Sequence, residues 1–124
     1  MARYDNWSKG NRKSLWKVKA FRPETDPDYF MYEVNFYPYS GYMGMQVAGD
    51  YVFMAYLFGE VHVFDLKTGK LVETLPIGPE GNGQCAWEDA AMGLRVFRRK
   101  NGEYLIFTEN SGWGAKDNFF RWKP

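Results

Sequence analysis

From residue 44 onward, apolar and polar side chains alternate along the chain instead of following a helical period. Turn-forming residues interrupt this alternation at intervals of about eight to twelve residues. Strands that alternate in this way bury one face, so the pattern is typical of an antiparallel all-β domain. No segment carries a sustained apolar pattern at helical spacing, and we expect helix to be scarce, with Ala86–Met92 as the best candidate for a short helical turn.

Two hairpins are the most strongly indicated elements. The predicted strand pairs are Val61–Phe64 with Lys70–Leu75, and Leu94–Arg98 with Tyr104–Phe107. Gly69 ends the first loop and can adopt the positive φ that such a loop requires. The second loop contains Asn101-Gly102, and Asn-Gly is one of the strongest short hairpin signals. We therefore expect a left-handed glycine at each turn.

The remaining elements follow from shorter stretches of the same pattern. Further strands are predicted at Leu15–Phe21, Tyr29–Phe36, Met43–Ala48, Tyr51–Phe58 and Lys116–Trp122. Arg22–Asp28 and Gly78–Gln84 are too polar or too rich in Pro and Gly to be strands, and residues 1–12 are expected to be frayed. A chain of 124 residues with 45% hydrophobic side chains can form one core, so residues 1–124 are predicted to be a single β domain.

Charge and composition exclude several classes of function. The 16 basic and 15 acidic residues nearly cancel, whereas duplex nucleic acid and anionic membranes attract concentrated positive charge. We expect neither partner, and no signal peptide or transmembrane segment in what is predicted to be a soluble chain. Cys85 and His62 are the single residues of their types, which excludes an internal disulfide and the multi-Cys or paired-His metal sites. Both are expected to be structural.

Two segments resemble the blades of a known architecture. Gly49-Asp50-Tyr51-Val52-Phe53 followed by Gly59-Glu60-Val61-His62-Val63-Phe64-Asp65-Leu66-Lys67-Thr68-Gly69-Lys70-Leu71 is similar to strands two to four of a β-propeller blade in the quinoprotein-like, NHL and SMP-30-like groups. Gly93–Trp122 is similar to the last blade of such proteins. Gly102-Glu103-Tyr104 also repeats Gly49-Asp50-Tyr51 after 53 residues, close to the roughly 40–50 residues typical of one blade.

The resemblance covers residues 44–122 and implies four-stranded antiparallel blades, about two per chain. A ring needs at least four blades, so it implies either a homo-oligomer whose copies assemble head to tail or the remainder of a longer propeller chain. In the first case Leu15–Phe21 is expected to pair with the carboxy-terminal strand of a neighbouring copy. The alternative is a small β-barrel or sandwich, in which the likeness to a blade is misleading.

The resemblance also implies that polar ligands bind at one end of the blades, where four loops would converge. Aromatic rings there can stack on a sugar, while carboxylates and amides orient its hydroxyl groups. The function predicted is a non-catalytic propeller segment that binds a polar ligand, such as a carbohydrate, without cofactor, metal or catalytic residues. The predicted ligand-binding residues are Tyr39, Tyr42, Asn82, Gln84, Trp87, Glu88, Asp89, Glu109 and Trp113.

A competing hypothesis makes the chain a fragment of a propeller hydrolase or lactonase. Its metal or carboxylate site would use Glu60, Glu88, Asp89 and Glu109. Adjacent Glu88 and Asp89 point in divergent directions on an extended chain, so they are a poor catalytic pair by themselves.

Overall fold

The computed structural model describes residues 2–17, 42–56, 60–76, 93–109 and 117–124. The strands are β1 Ala2–Tyr4, β2 Ser14–Lys17, β3 Tyr42–Ala48, β4 Tyr51–Tyr56, β5 Glu60–Asp65, β6 Leu71–Pro76, β7 Gly93–Arg98, β8 Tyr104–Glu109 and β9 Asp117–Trp122. Within these ranges the only helical element is a short 3-10 turn, Trp7–Lys9, and no helix there is long and apolar enough to cross a bilayer. The predicted all-β class with antiparallel sheets is confirmed.

Every pair of neighbouring strands is antiparallel, and each sheet follows the order of the sequence. The β1–β2 hairpin is separate, β3–β4–β5–β6 form a four-stranded meander, and β7–β8–β9 form a three-stranded meander. Both predicted hairpins are present as β5–β6 and β7–β8. Gly69 and Gly102 have φ values of 72° and 82°, so both turns contain the left-handed glycine that the sequence predicts.

The β5–β6 turn is further fixed by Asp65. Its Oδ1 accepts hydrogen bonds from the Thr68 backbone N–H at 2.6 Å and from the Thr68 hydroxyl at 2.7 Å. Because the hydroxyl and then the N–H stabilise the ionised form, the pKa of this exposed carboxyl is lowered.

The amino-terminal region differs from its prediction. The strand expected over Leu15–Phe21 is described only as Ser14–Lys17, and it pairs with Ala2–Tyr4 of the same chain, where no strand was predicted. The other predicted elements at Tyr29–Phe36 and Ala86–Met92 lie outside the described residues.

The core lies between the two meanders, which stack face to face. Buried side chains of the four-stranded sheet meet those of the three-stranded sheet in one cluster, formed by Phe53, Ala55, Val61, Val63, Leu75, Leu94, Val96, Tyr104, Ile106 and Trp122. The first strands of the two sheets approach closely: a Cβ built on Gly44 would lie 3.1 Å from the Leu94 Cβ. Trp122 also donates its Nε1–H to the Glu73 carboxylate at 2.6 Å, which ties β9 to β6.

Aromatic rings form the centre of this stack. The Tyr104 ring lies 5.3 Å from Phe53 and 5.4 Å from Trp122, while Tyr51 meets Trp122 edge-on at 4.9 Å. Offset and edge-to-face pairs at these separations add about 0.5–1.5 kcal/mol each beyond the area they bury. Burial also raises the pKa of Tyr104, because desolvation disfavours the phenolate.

A side chain from β3 forms the hydrogen bonds that a neighbouring strand would otherwise form with the open edge of β7. The Gln46 amide accepts the Val96 N–H at 2.8 Å and donates to the Val96 carbonyl at 2.6 Å. These backbone groups point away from β8, and an unpaired strand edge at the core is costly. Gln46 therefore holds the two sheets together by a contact that imitates strand pairing.

The β1–β2 hairpin covers the opposite face of the four-stranded sheet. Val52, Met54 and Phe64 are buried there, with Trp16 packed against them. The Trp16 Nε1–H and the Arg3 guanidinium both donate to the Leu66 carbonyl, at 3.1 and 2.7 Å. Along the described stack, the order is thus hairpin, four-stranded sheet and three-stranded sheet.

We expect Gly69→Ala to destabilise the protein more than Gly102→Ala. Both substitutions force a side chain into a left-handed conformation, which costs about 1–3 kcal/mol. At Gly69 the new Cβ would also lie 2.6 Å from the Trp16 ring, whereas nothing lies within 4 Å at Gly102. Urea unfolding of both variants measures the difference. In a Trp16→Ala background the excess should disappear, and an unchanged excess would show that Trp16 does not pack on the turn.

Gln46→Glu should cost about 1–3 kcal/mol of stability at neutral pH, because a carboxylate cannot donate to the Val96 carbonyl. The neutral carboxyl can donate, so folding should raise the pKa of the introduced Glu. The difference in stability between the variant and the wild type should consequently shrink as the pH falls from about 7 to about 4. Thermal unfolding of the variant and the wild type across that interval checks the sign, and a deficit independent of pH would contradict the proposed hydrogen bonds.

Candidate functional site

The side of the β7–β9 sheet that faces away from the core carries an ordered set of nine residues, which we call the aromatic face. Strand register arranges them in three rows that cross the strands. The rows are Gly93, Glu109 and Asp117; Arg95, Phe107 and Phe119; and Phe97, Leu105 and Arg121. Since side chains alternate between the two faces of a strand, their sequence neighbours Leu94, Val96 and Ile106 enter the core instead.

Three phenylalanines dominate this surface. Phe97, Phe107 and Phe119 keep 54%, 42% and 55% of their surface exposed. Phe107 lies between the other two, 6.2 Å from the Phe97 ring centre and 4.6 Å from that of Phe119. One exposed Phe is unremarkable, but three contiguous rings on a sheet face form the kind of patch that marks an interaction surface.

Charge divides the aromatic face into two ends. Glu109 and Asp117 stand opposite each other on neighbouring strands, and neither carboxylate forms a hydrogen bond or ion pair with another described residue. At the other end, Arg121 lies 3.8 Å from Glu103 Oε1 and keeps 68% of its side chain exposed. Like charges directly opposite each other destabilise a sheet, so folding alone does not account for the acidic pair.

A concave region of about 540 Å³ opens over the acidic end. The residues of the aromatic face that line it are Gly93, Arg95, Phe97, Phe107, Glu109, Asp117 and Phe119. The Glu109 side chain lies over Gly93, where a Cβ would come within 3.1 Å of the Glu109 Cβ. The surface therefore combines apolar rings with carboxylates, the chemistry that the sequence analysis assigned to a polar-ligand site.

Of the predicted ligand-binding residues, only Glu109 has a described side chain, and it belongs to this site. Tyr42 is the first residue of β3, where it pairs with Tyr56. The remainder lie outside the described residues: Tyr39, Asn82, Gln84, Trp87, Glu88, Asp89 and Trp113. The structure places Glu109 on one face with Asp117 and the three phenylalanines, none of which is among the predicted ligand-binding residues.

The carboxylates of the hydrolase hypothesis are described only in part. Glu60 lies on β5, in the other meander from Glu109, and its Oε2 is 2.8 Å from His62 Nε2. His62 faces away from Val61 and Val63, as the alternation predicts. Within the described ranges, no group of three His, Cys, Asp or Glu side chains could hold a metal ion. Glu88 and Asp89 are outside those ranges.

Comparison with protein-family models, with curated proteins and with solved structures found no match.

Proposed function

We propose that this chain is a non-catalytic β-propeller-type segment that works by stacking sheets, and that the aromatic face is the surface where a further antiparallel sheet docks. The observation that carries the proposal is the contiguous set of exposed rings of Phe97, Phe107 and Phe119 on a sheet whose other face is already packed. Within the chain the same sheet buries Tyr104 and Ile106 against another meander, so stacking is the contact it already makes.

Strand order, the contact between the two sheets and a repeated sequence favour propeller blades over a barrel or sandwich. Each meander runs through its strands in sequence order, and the first strands of the two sheets lie together. Tyr51 and Tyr104 each begin the second strand of their sheet after a left-handed glycine, and their rings meet at 5.7 Å. The repeated Gly-acid-Tyr sequence thus occupies equivalent places in two stacked units.

Exposed rings that are buried only when another sheet docks should contribute little to the stability of the isolated chain. We expect Phe107→Thr and Phe119→Thr each to lower the unfolding free energy by only about 1 kcal/mol, since Thr suits a strand and the loss is limited to a ring–ring contact between two half-exposed side chains. The double variant should also lose binding of an apolar fluorescent dye. Phe120→Thr is the matched control: this neighbour on the core side should cost about 2–4 kcal/mol.

Urea unfolding of dilute protein measures the stability of the single chain without any contribution from docking. Should the Phe119 variant lose as much stability as the Phe120 variant, the aromatic face would already be packed within one chain. The docking proposal would then fail.

The concave region favours a second use of the same surface, namely binding of a polar ligand such as a carbohydrate. Its volume of about 540 Å³ falls within the range of small-molecule pockets. The carboxylates of Glu109 and Asp117 can accept hydrogen bonds from hydroxyl groups, while Phe107 and Phe119 offer ring faces for stacking. The ligand and a docked sheet would compete for these side chains.

Titration with a panel of mono- and disaccharides tests this second use. Binding should shift the backbone NMR signals of Glu109 and Asp117, and Glu109→Gln together with Phe119→Thr should remove the shifts. The signals of Lys67 and Lys70, in the distant β5–β6 turn, should not move. An absence of shifts at millimolar sugar would contradict carbohydrate binding and leave sheet docking as the use of this face.

A further inference from the structure

We propose that the aromatic face docks against the same face of a second copy of this chain, around a two-fold axis that lies in the interface and runs across the strands. The inference rests on the proposed function, because it names the sheet that covers the face. Two observations lead to it: the opposite end of the described stack is covered, and the charges of the face are divided between its ends.

The β1–β2 hairpin disfavours a head-to-tail arrangement. In such an arrangement the aromatic face of one copy would pack on the far side of the four-stranded sheet of the next. There Val52, Met54 and Phe64 are already buried, with Trp16 packed on them and hydrogen-bonded to Leu66. A neighbour could dock only by displacing that hairpin. Pairing like faces leaves the hairpin in place and closes the stack at two chains, so a dimer takes the place of a head-to-tail ring.

A two-fold axis across the strands places the first row of one copy over the third row of the other. It passes along the middle row, so each strand lies over its own counterpart in reverse direction. Asp117 then faces Arg121 of the second copy, and the same contact occurs twice by symmetry. Gly93 then faces the second copy's Phe97.

The middle row brings apolar rings together at the centre. Phe107 and Phe119 each meet the same residue of the second copy, and stacked sheets about 10 Å apart leave room for such rings to interlock. Arg95 lies at the β7 end of this row, and its guanidinium donates to the Leu94 carbonyl of its own chain at 3.0 Å. The proposed axis places it next to the same residue of the second copy, at the exposed edge of the interface.

Charge also selects between the two possible two-fold axes in the interface. An axis parallel to the strands would lay the first row on itself, which brings Glu109 and Asp117 of one copy onto the same acidic row of the other. Like-charge contacts of this kind disfavour an interface. The axis across the strands instead sets the acidic end against the basic end.

The expected dimer is weak and depends on concentration. Nine residues per copy form the aromatic face, whereas a stable interface of standard size uses about 20–30 residues a side. We accordingly expect a dissociation constant in the micromolar range, with tighter association at low ionic strength, where exposed charge pairs are least screened.

Charge exchange between Asp117 and Arg121 tests this arrangement in the full chain. Sedimentation velocity at low salt should show the wild type rising from 14.5 kDa toward twice that mass over a roughly hundred-fold range of concentration. Asp117→Arg alone and Arg121→Asp alone each bring like charges together, and should weaken association by about ten-fold or more. At high dilution each variant should still unfold in a cooperative thermal transition, which shows that the substitution leaves the chain folded.

Two rescues are specific to the proposed axis. The variant that carries both substitutions should associate as the wild type does, and an equimolar mixture of the two single variants should form a heterodimer, because opposite charges again face each other. Lys100→Asp is the matched control for Arg121→Asp, since it makes the same charge change in the β7–β8 turn outside the face. It should leave the association unchanged.

The outcomes separate this inference from the proposed function. A chain that stays at 14.5 kDa throughout, single variants that associate as the wild type does, or a mixture without rescue would each overturn the two-fold dimer. If the Phe119 and Phe120 variants still differ in stability as expected, the aromatic face would remain a docking surface for another sheet. If they do not differ, the proposed function itself would fail.

Discussion

The contact between the inner faces of the two meanders is the interaction on which the rest of this structure depends. Tyr51, Phe53, Tyr104 and Trp122 bring four rings from two sheets into one cluster. Each sheet has an apolar face that would be in water if the sheet stood alone, and burial of both faces in this cluster stabilises the two sheets together. The cluster also fixes the register between the sheets, so it decides which side chains of β7–β9 remain outside.

The arrangement of the aromatic face is a direct consequence of that packing. Once Leu94, Val96 and Ile106 are committed to the core, the period of two forces Arg95, Phe97 and Phe107 outward. A strand whose two faces are both apolar must find two partners or leave one face in water. In this fold the four-stranded sheet uses the β1–β2 hairpin for its second face, whereas among the described residues nothing covers the second face of β7–β9.

The sequence predicted the hairpins well because their signals are local. Gly69 and Gly102 need no knowledge of distant contacts to indicate a left-handed turn. The orientation of β7–β9 was harder to infer, since apolar neighbours such as Phe119 and Phe120 occur on both faces and period two alone does not say which one enters the core. The strand β1 has only three residues, which are too few to show an alternating pattern, so the sequence did not indicate it. Asp117 was missed for another reason: it pairs with Glu109 only through strand register.

Dilution followed by NMR of the aromatic side chains tests most directly that the aromatic face is where another copy docks. The account predicts that the ring signals of Phe97, Phe107 and Phe119 move together as the protein is diluted, because their contacts across the interface are lost. The signals of Phe53 and Trp16, which pack within one chain, should stay in place. Ring signals of the three phenylalanines that do not change with concentration, or concentration-dependent shifts centred on Trp16, would contradict it.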